Sequence, residues 1–126
     1  MRARLGIGLV LLLAACGGVA SPTGSVECRE PVNGVLTVTA DSLAFDTGCL
    51  ALPAGEAVTI RLVNAEDVEP HNVAIHTDSS GSTQLFSGDI VDGGESIDYQ
   101  IPALEAGTYY FDCTIHSAMN GSVVVQ

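Results

Sequence analysis

Apolar and polar residues alternate along most of the chain from Val35 onward, with the period of two that a half-buried β-strand imposes. Leu36 and Val38 alternate with Thr37 and Thr39, Val58, Ile60 and Leu62 with Thr59 and Arg61, and Ile97, Tyr99 and Ile101 with Asp98 and Gln100. Shorter apolar pieces stand at Leu43 and Phe45, Leu50 and Leu52, Leu85-Phe86 and Ile90-Val91. Between them lie turn residues: Asp46-Thr47-Gly48, Pro53-Ala54-Gly55, the polar stretch Asp78 to Thr83, Gly88-Asp89 and Glu105-Ala106-Gly107. No helical period of comparable length appears, so the pattern predicts a single all-β sandwich or barrel.

Two strands carry more than packing. From His71 to His76, alternation places His71, Val73 and Ile75 on one face and Asn72, Ala74 and His76 on the other. His71 is thus expected on the core side at the start of the strand, and His76 toward solvent. From Thr108 to Cys113, Tyr109, Phe111 and Cys113 face one way and Tyr110 and Asp112 the other, so Cys113 leaves the end of a buried strand. Gly121-Ser122-Val123-Val124-Val125 reads as the closing strand.

The chain before Val35 has a different character. Residues 1–15 read as a signal peptide, with Arg2 and Arg4, the apolar run Leu5 to Leu13 and the small pair Ala14-Ala15. The run is too short to span a bilayer as a helix. Leu13-Ala14-Ala15-Cys16-Gly17 resembles a bacterial lipobox, in which the cysteine becomes the lipidated first residue. Residues 16–32 are then a lipid-anchored flexible spacer, rich in Gly, Ser, Pro and Thr up to Ser25, and residues 33–126 the folded domain. This places the domain outside a bacterial membrane, on its periplasmic or extracellular side, held by Cys16. Four Lys and Arg face fifteen Asp and Glu, for a net charge of -11. Without Arg2 and Arg4 the count is two against fifteen, or -13. Such acidity argues against nucleic acid; it either attracts a protein partner with a basic docking face or only keeps the protein soluble.

The chemistry concentrates in Cys113-Thr114-Ile115-His116-Ser117-Ala118-Met119. A thiolate donor, an imidazole and a thioether at Cys-x2-His-x2-Met spacing can wrap one ion, and this soft set selects copper over magnesium, calcium or manganese. His71, in Glu69-Pro70-His71-Asn72-Val73, is the expected fourth donor, since it opens its strand on the core face. Two His, one Cys and a weak axial Met form the trigonal site of a blue-copper electron carrier.

The Pro-His-Asn-Val opening of one strand, Gly-Thr-Tyr-Tyr-Phe-Asp-Cys with its ligand loop, and the closing strand resemble the cupredoxin family, its amicyanin/plastocyanin-like members in particular. The likeness runs from about Val35 to Gln126. It implies a Greek-key β-sandwich of about eight strands, one copper ion held by His71, Cys113, His116 and Met119, and electron exchange with redox proteins at the exposed edge of His116 by a monomer. It also implies that Asn72 hydrogen-bonds across to the ligand loop and the cysteine sulfur. Ile115 and Ser117 stand where amicyanin-like loops carry proline, which fixes φ and removes a donor.

With Cys113 assigned to copper, Cys28 and Cys49 remain, and in an exported chain two spare cysteines are expected to form a disulfide. Neither has a neighbouring His to suggest a second metal site. A copper chaperone or storage lipoprotein is the alternative function; it calls for open coordination with extra Met or His, yet beyond the leader the chain holds one Met and three His. An enzyme is not indicated, because no His-x-His supplies a substrate-binding copper.

Overall fold

The computed structural model describes residues 17–18 and 26–126. The expected signal peptide, Cys16 and most of the Gly17 to Ser25 spacer lie outside the described residues. Among these residues nine strands form: β1 (Val35–Asp41), β2 (Ala44–Phe45), β3 (Cys49–Leu52), β4 (Val58–Asn64), β5 (Ala74–His76), β6 (Gln84–Ser87), β7 (Ser96–Ile101), β8 (Gly107–Cys113) and β9 (His116–Val125). They make two sheets ordered β2-β1-β4-β7 and β3-β9-β8-β5-β6, packed face to face as a β-sandwich. Pairs β1/β4 and β3/β9 are parallel and the rest antiparallel.

The predicted alternation builds the four-stranded sheet directly. Leu36, Val38 and Ala40 of β1, Val58, Ile60 and Leu62 of β4, and Tyr99 and Ile101 of β7 are buried, while their neighbours in sequence turn outward. They share one core with Leu50, Leu52, Val73, Ile75, Phe111 and Val123 of the other sheet or its flanks. Removing that apolar surface from water is the main force holding the layers together.

The N-terminal flank is fastened to this frame. Cys28 and Cys49 are disulfide-bonded. Arg29 pairs in parallel with Leu50, and its guanidinium reaches Asp46 at 2.7 Å and the Thr37 carbonyl at 3.0 Å. Arg29, with its N–H on the Cys49 carbonyl and its own carbonyl on Ala51 N, thereby covers part of the outer edge of β3, where unpaired backbone groups would otherwise invite another strand.

Two departures from the alternation pattern concern the site. The strand expected from Gly121 starts earlier, at His116, because β8 and β9 close as a hairpin over Thr114-Ile115, with Cys113 opposite His116. Asp112 then pairs with Asn120, so Ser117, Ala118 and Met119 are extra residues bulged out of the ladder. A bulge re-aims side chains, and this one returns Met119 to the interior at 1 % exposure. Secondly, His76 is not at the surface: it is 6 % exposed, and its Nε2 lies 2.9 Å from Asp112 Oδ1. Its face of β5 is covered, which strand parity alone does not reveal.

Candidate metal centre

The site forms where the strand ends of the five-stranded sheet meet the loops above them. Cys113 ends β8, fully buried. His71 lies ahead of β5 and is fixed by two backbone hydrogen bonds to Val91, at 3.0 and 2.9 Å. His116 opens β9 with its side chain one-quarter exposed. Cys113 Sγ stands 3.8 Å from His71 Nδ1 and 3.7 Å from His116 Nδ1, and the three donor atoms lie within 4.8 Å of one another. Met119 is buried beside them in the same cluster as Cys113.

These separations test whether one ion fits. With metal–nitrogen and metal–sulfur bonds of about 2.0 and 2.3 Å, lengths that zinc shows, donors at 120° stand about 3.7 Å apart and tetrahedral ones about 3.5 Å. The observed 3.7 and 3.8 Å are of the size at which one ion can reach the sulfur and either nitrogen, and a His2Cys set with a thioether nearby suits copper. Burial first, and then neighbouring His116, holds His71 below the ordinary imidazole range, against the opposing pull of Glu66 and Glu69. Its neutral form is the one that binds metal.

The outer edges of both imidazoles meet carboxylates. His71 Nε2, a fully buried atom without a hydrogen-bond partner, faces Glu66 Oε1 at 3.6 Å, and His116 Nε2 faces Glu69 Oε2 at 3.6 Å. With Nδ1 turned to the site, the proton resides on Nε2, and a carboxylate there orients the ring and raises its basicity. Sequence reasoning did not single out these glutamates, since loop residues carry no period. Asn64 was also passed over, though it had a signal: it is the polar residue in register with Val58, Ile60 and Leu62. Buried there, its Nδ2 donates to the Glu69 and Val91 carbonyls at 2.7 and 3.1 Å, and its Oδ1 accepts from Glu66 N at 3.1 Å, shaping the loop.

Asn72 ties this loop side to the ligand turn. Its Oδ1 accepts from Thr114 N at 2.9 Å and Thr114 Oγ1 at 3.1 Å, and its Nδ2 donates to the Gly88 carbonyl at 3.0 Å. Among these bonds none reaches the Cys113 sulfur.

Together these features make a small β-sandwich with a thiolate, two imidazoles and a thioether gathered at one end, a donor set that could hold a soft metal ion. The chain belongs to the cupredoxin family: the sequence profile of the cupredoxin-like domain matches residues 9–125. It is 28% identical over 147 aligned positions to auracyanin-A of Chloroflexus aurantiacus (strain ATCC 29366 / DSM 635 / J-10-fl), covering 94% of this chain and 91% of that protein. It is 31% identical over 120 positions to amicyanin of Paracoccus versutus, covering 90% and 86%. The solved structure of auracyanin A, described as a "blue" copper protein from a green thermophilic photosynthetic bacterium, superposes with a TM-score of 0.64 at 23% identity, over 73% of this chain and 98% of that one. The cofactor this membership implies is one copper ion, and the donors present fit it.

Proposed function

We propose that the protein is an exported, lipid-tethered electron carrier, with His71, Cys113, His116 and Met119 as ligands of a single copper, Asn72 fastening the ligand turn, and redox proteins as its partners. The observation that carries the reading is the convergence of Cys113 Sγ with two imidazole nitrogens at 3.7 and 3.8 Å. Copper bound there supplies a couple, Cu(I)/Cu(II), that takes up and gives back one electron. The chain's residues keep the site from reshaping between the two states: His71 is locked to Val91, Cys113 sits in a paired strand, and Thr114 is pinned by Asn72. A site whose donors are held in place needs little rearrangement when its charge changes. His116 alone presents an edge to solvent and offers the way in and out. Full burial of Cys113, His71 and Met119 speaks against a store that must release copper readily.

Copper loading tests this. An intense visible sulfur-to-copper charge-transfer band with a narrow Cu(II) hyperfine splitting supports the carrier. A colourless protein that yields Cu(I) to a chelator within minutes supports the handling alternative. Replacing Met119 by Leu keeps the colour and raises the potential, because a weak axial donor is lost; a fall in potential shows that Met119 does not ligate.

A further inference from the structure

We infer that the metal end of the sandwich docks a cationic redox protein and that Glu69, whose carboxylate stands beside His116 on this face, is where a partner's lysine or arginine lands; this rests on the electron-carrier reading. Four loops meet at this end. The Ser42-Leu43 turn joins through Leu43 N, which donates to Glu66 Oε1 at 2.6 Å, and residues 88–93 join through the His71–Val91 pair. Residues 65–70 and the ligand turn complete the surface. Leu43, Val68, Ile90 and Ile115, four of the seven exposed large apolar side chains among the described residues, stand on these loops. The same loops carry Glu66, Asp67, Glu69, Asp89 and Asp92. Neither arginine of the described residues offsets them, since Arg29 is engaged with Asp46 and Arg61 with Asp98.

Glu69 differs from the other four in its placement. Its carbonyl is held by Asn64, its side chain is about half exposed, and its carboxylate stands 3.6 Å from His116 Nε2, between Val68 in sequence and the ligand turn that carries Ile115. Glu66, by contrast, is mostly buried and tied to Leu43. An apolar partner surface closing over His116 would strip the Glu69 carboxylate of water with only the His116 edge left beside it, a desolvation cost that an apolar group does not offset. A partner that brings a cation to Glu69 avoids that cost and seats its own apolar groups on Val68 and Ile115. The carboxylate thus selects its partner both by attraction and by penalising the alternatives.

Two probes of opposite charge separate docking from a change in potential. The reduced, copper-loaded protein gives one electron to tris(1,10-phenanthroline)cobalt(III), forming cobalt(II), or to hexacyanoferrate(III), forming hexacyanoferrate(II). Removing one charge about 7 Å from a triply charged reagent at 0.1 M salt slows the cation about fourfold and speeds the anion about fourfold. Glu69→Gln is therefore expected to lower the cation-to-anion rate ratio by roughly tenfold or more. Glu56→Gln, an equal charge change at the opposite end of the sandwich, should leave the ratio within about twofold of wild type. A shift in potential moves both reagents the same way and leaves the ratio unchanged. In the reduced, copper-loaded protein, whose Cu(I) is diamagnetic, paramagnetic hexaamminechromium(III) should broaden the amide resonances of Val68, Glu69 and Ile115 first. Equal ratios in the two variants, or broadening spread evenly over the acidic surface, overturn the inference while leaving the carrier intact. A wild-type protein that gains no colour with copper overturns the carrier reading and the docking inference with it.

Discussion

The two sheets of this sandwich are made of similar residues but use them differently. In the four-stranded sheet, β1, β4 and β7 alternate cleanly between core and solvent, and none of the predicted donors lies in it. In the five-stranded sheet that alternation breaks down: all four residues of β3 and all three of β5 are buried. Cys113 and His116 stand at the closed end of its β8–β9 hairpin, and His71 lies just ahead of β5. One sheet is a platform. The other is covered on both faces where the donors gather, and that cover supplies the rigidity an electron carrier needs.

Substitutions can break this division of labour. The largest effect is expected from Cys113→Ser, which should abolish the visible band of the copper-loaded protein while far-ultraviolet circular dichroism keeps its β signature. Gly121→Ala comes next. A Cβ there would run into the Gly48 carbonyl and the Phe111 ring, so urea unfolding of the copper-free protein should show a loss of about 3 kcal/mol or slightly less, as overpacking of a tight core does. Replacing both Cys28 and Cys49 by Ser removes a cross-link between residues 21 apart; the expected loss is about 3 kcal/mol in the chain-entropy view, with the copper spectrum unchanged. Smallest is Ile60→Val in the four-stranded sheet, at about 1 kcal/mol, again with no spectral change. A spectral change from Ile60→Val, or an unaltered spectrum in Cys113→Ser, would erase the distinction between the sheets.

Much of this was legible in the sequence. Alternation at Leu36 and Val38, at Val58 to Leu62 and at Ile97 to Ile101 announced the platform, because strands with one face in water must show a period of two. That Cys113, His116 and Met119 come together with His71 was legible because a thiolate, an imidazole and a thioether on one short stretch have few other uses, and because His71 opens its strand on the core face. The limits appear where tertiary cover decides. His76 has the parity of a solvent-facing residue, yet Asp112 and the covering of that face bury it. Glu66 and Glu69 belong to a loop whose path is set by Asn64, and loop paths leave no periodic trace. The bulge of Ser117 to Met119 is likewise invisible to alternation, because it is defined by which residues of β8 stand opposite it.

The central claim is that two imidazoles and one thiolate, presented by the covered sheet, grip a single copper in a shape that hardly changes with its charge. X-ray absorption of the copper-loaded protein, oxidised and then reduced, tests it most directly. The account predicts one short sulfur scatterer and two nitrogen scatterers in both states, with distances nearly unchanged on reduction. Absence of the short sulfur scatterer, or loss of a nitrogen when the copper is reduced, would contradict it.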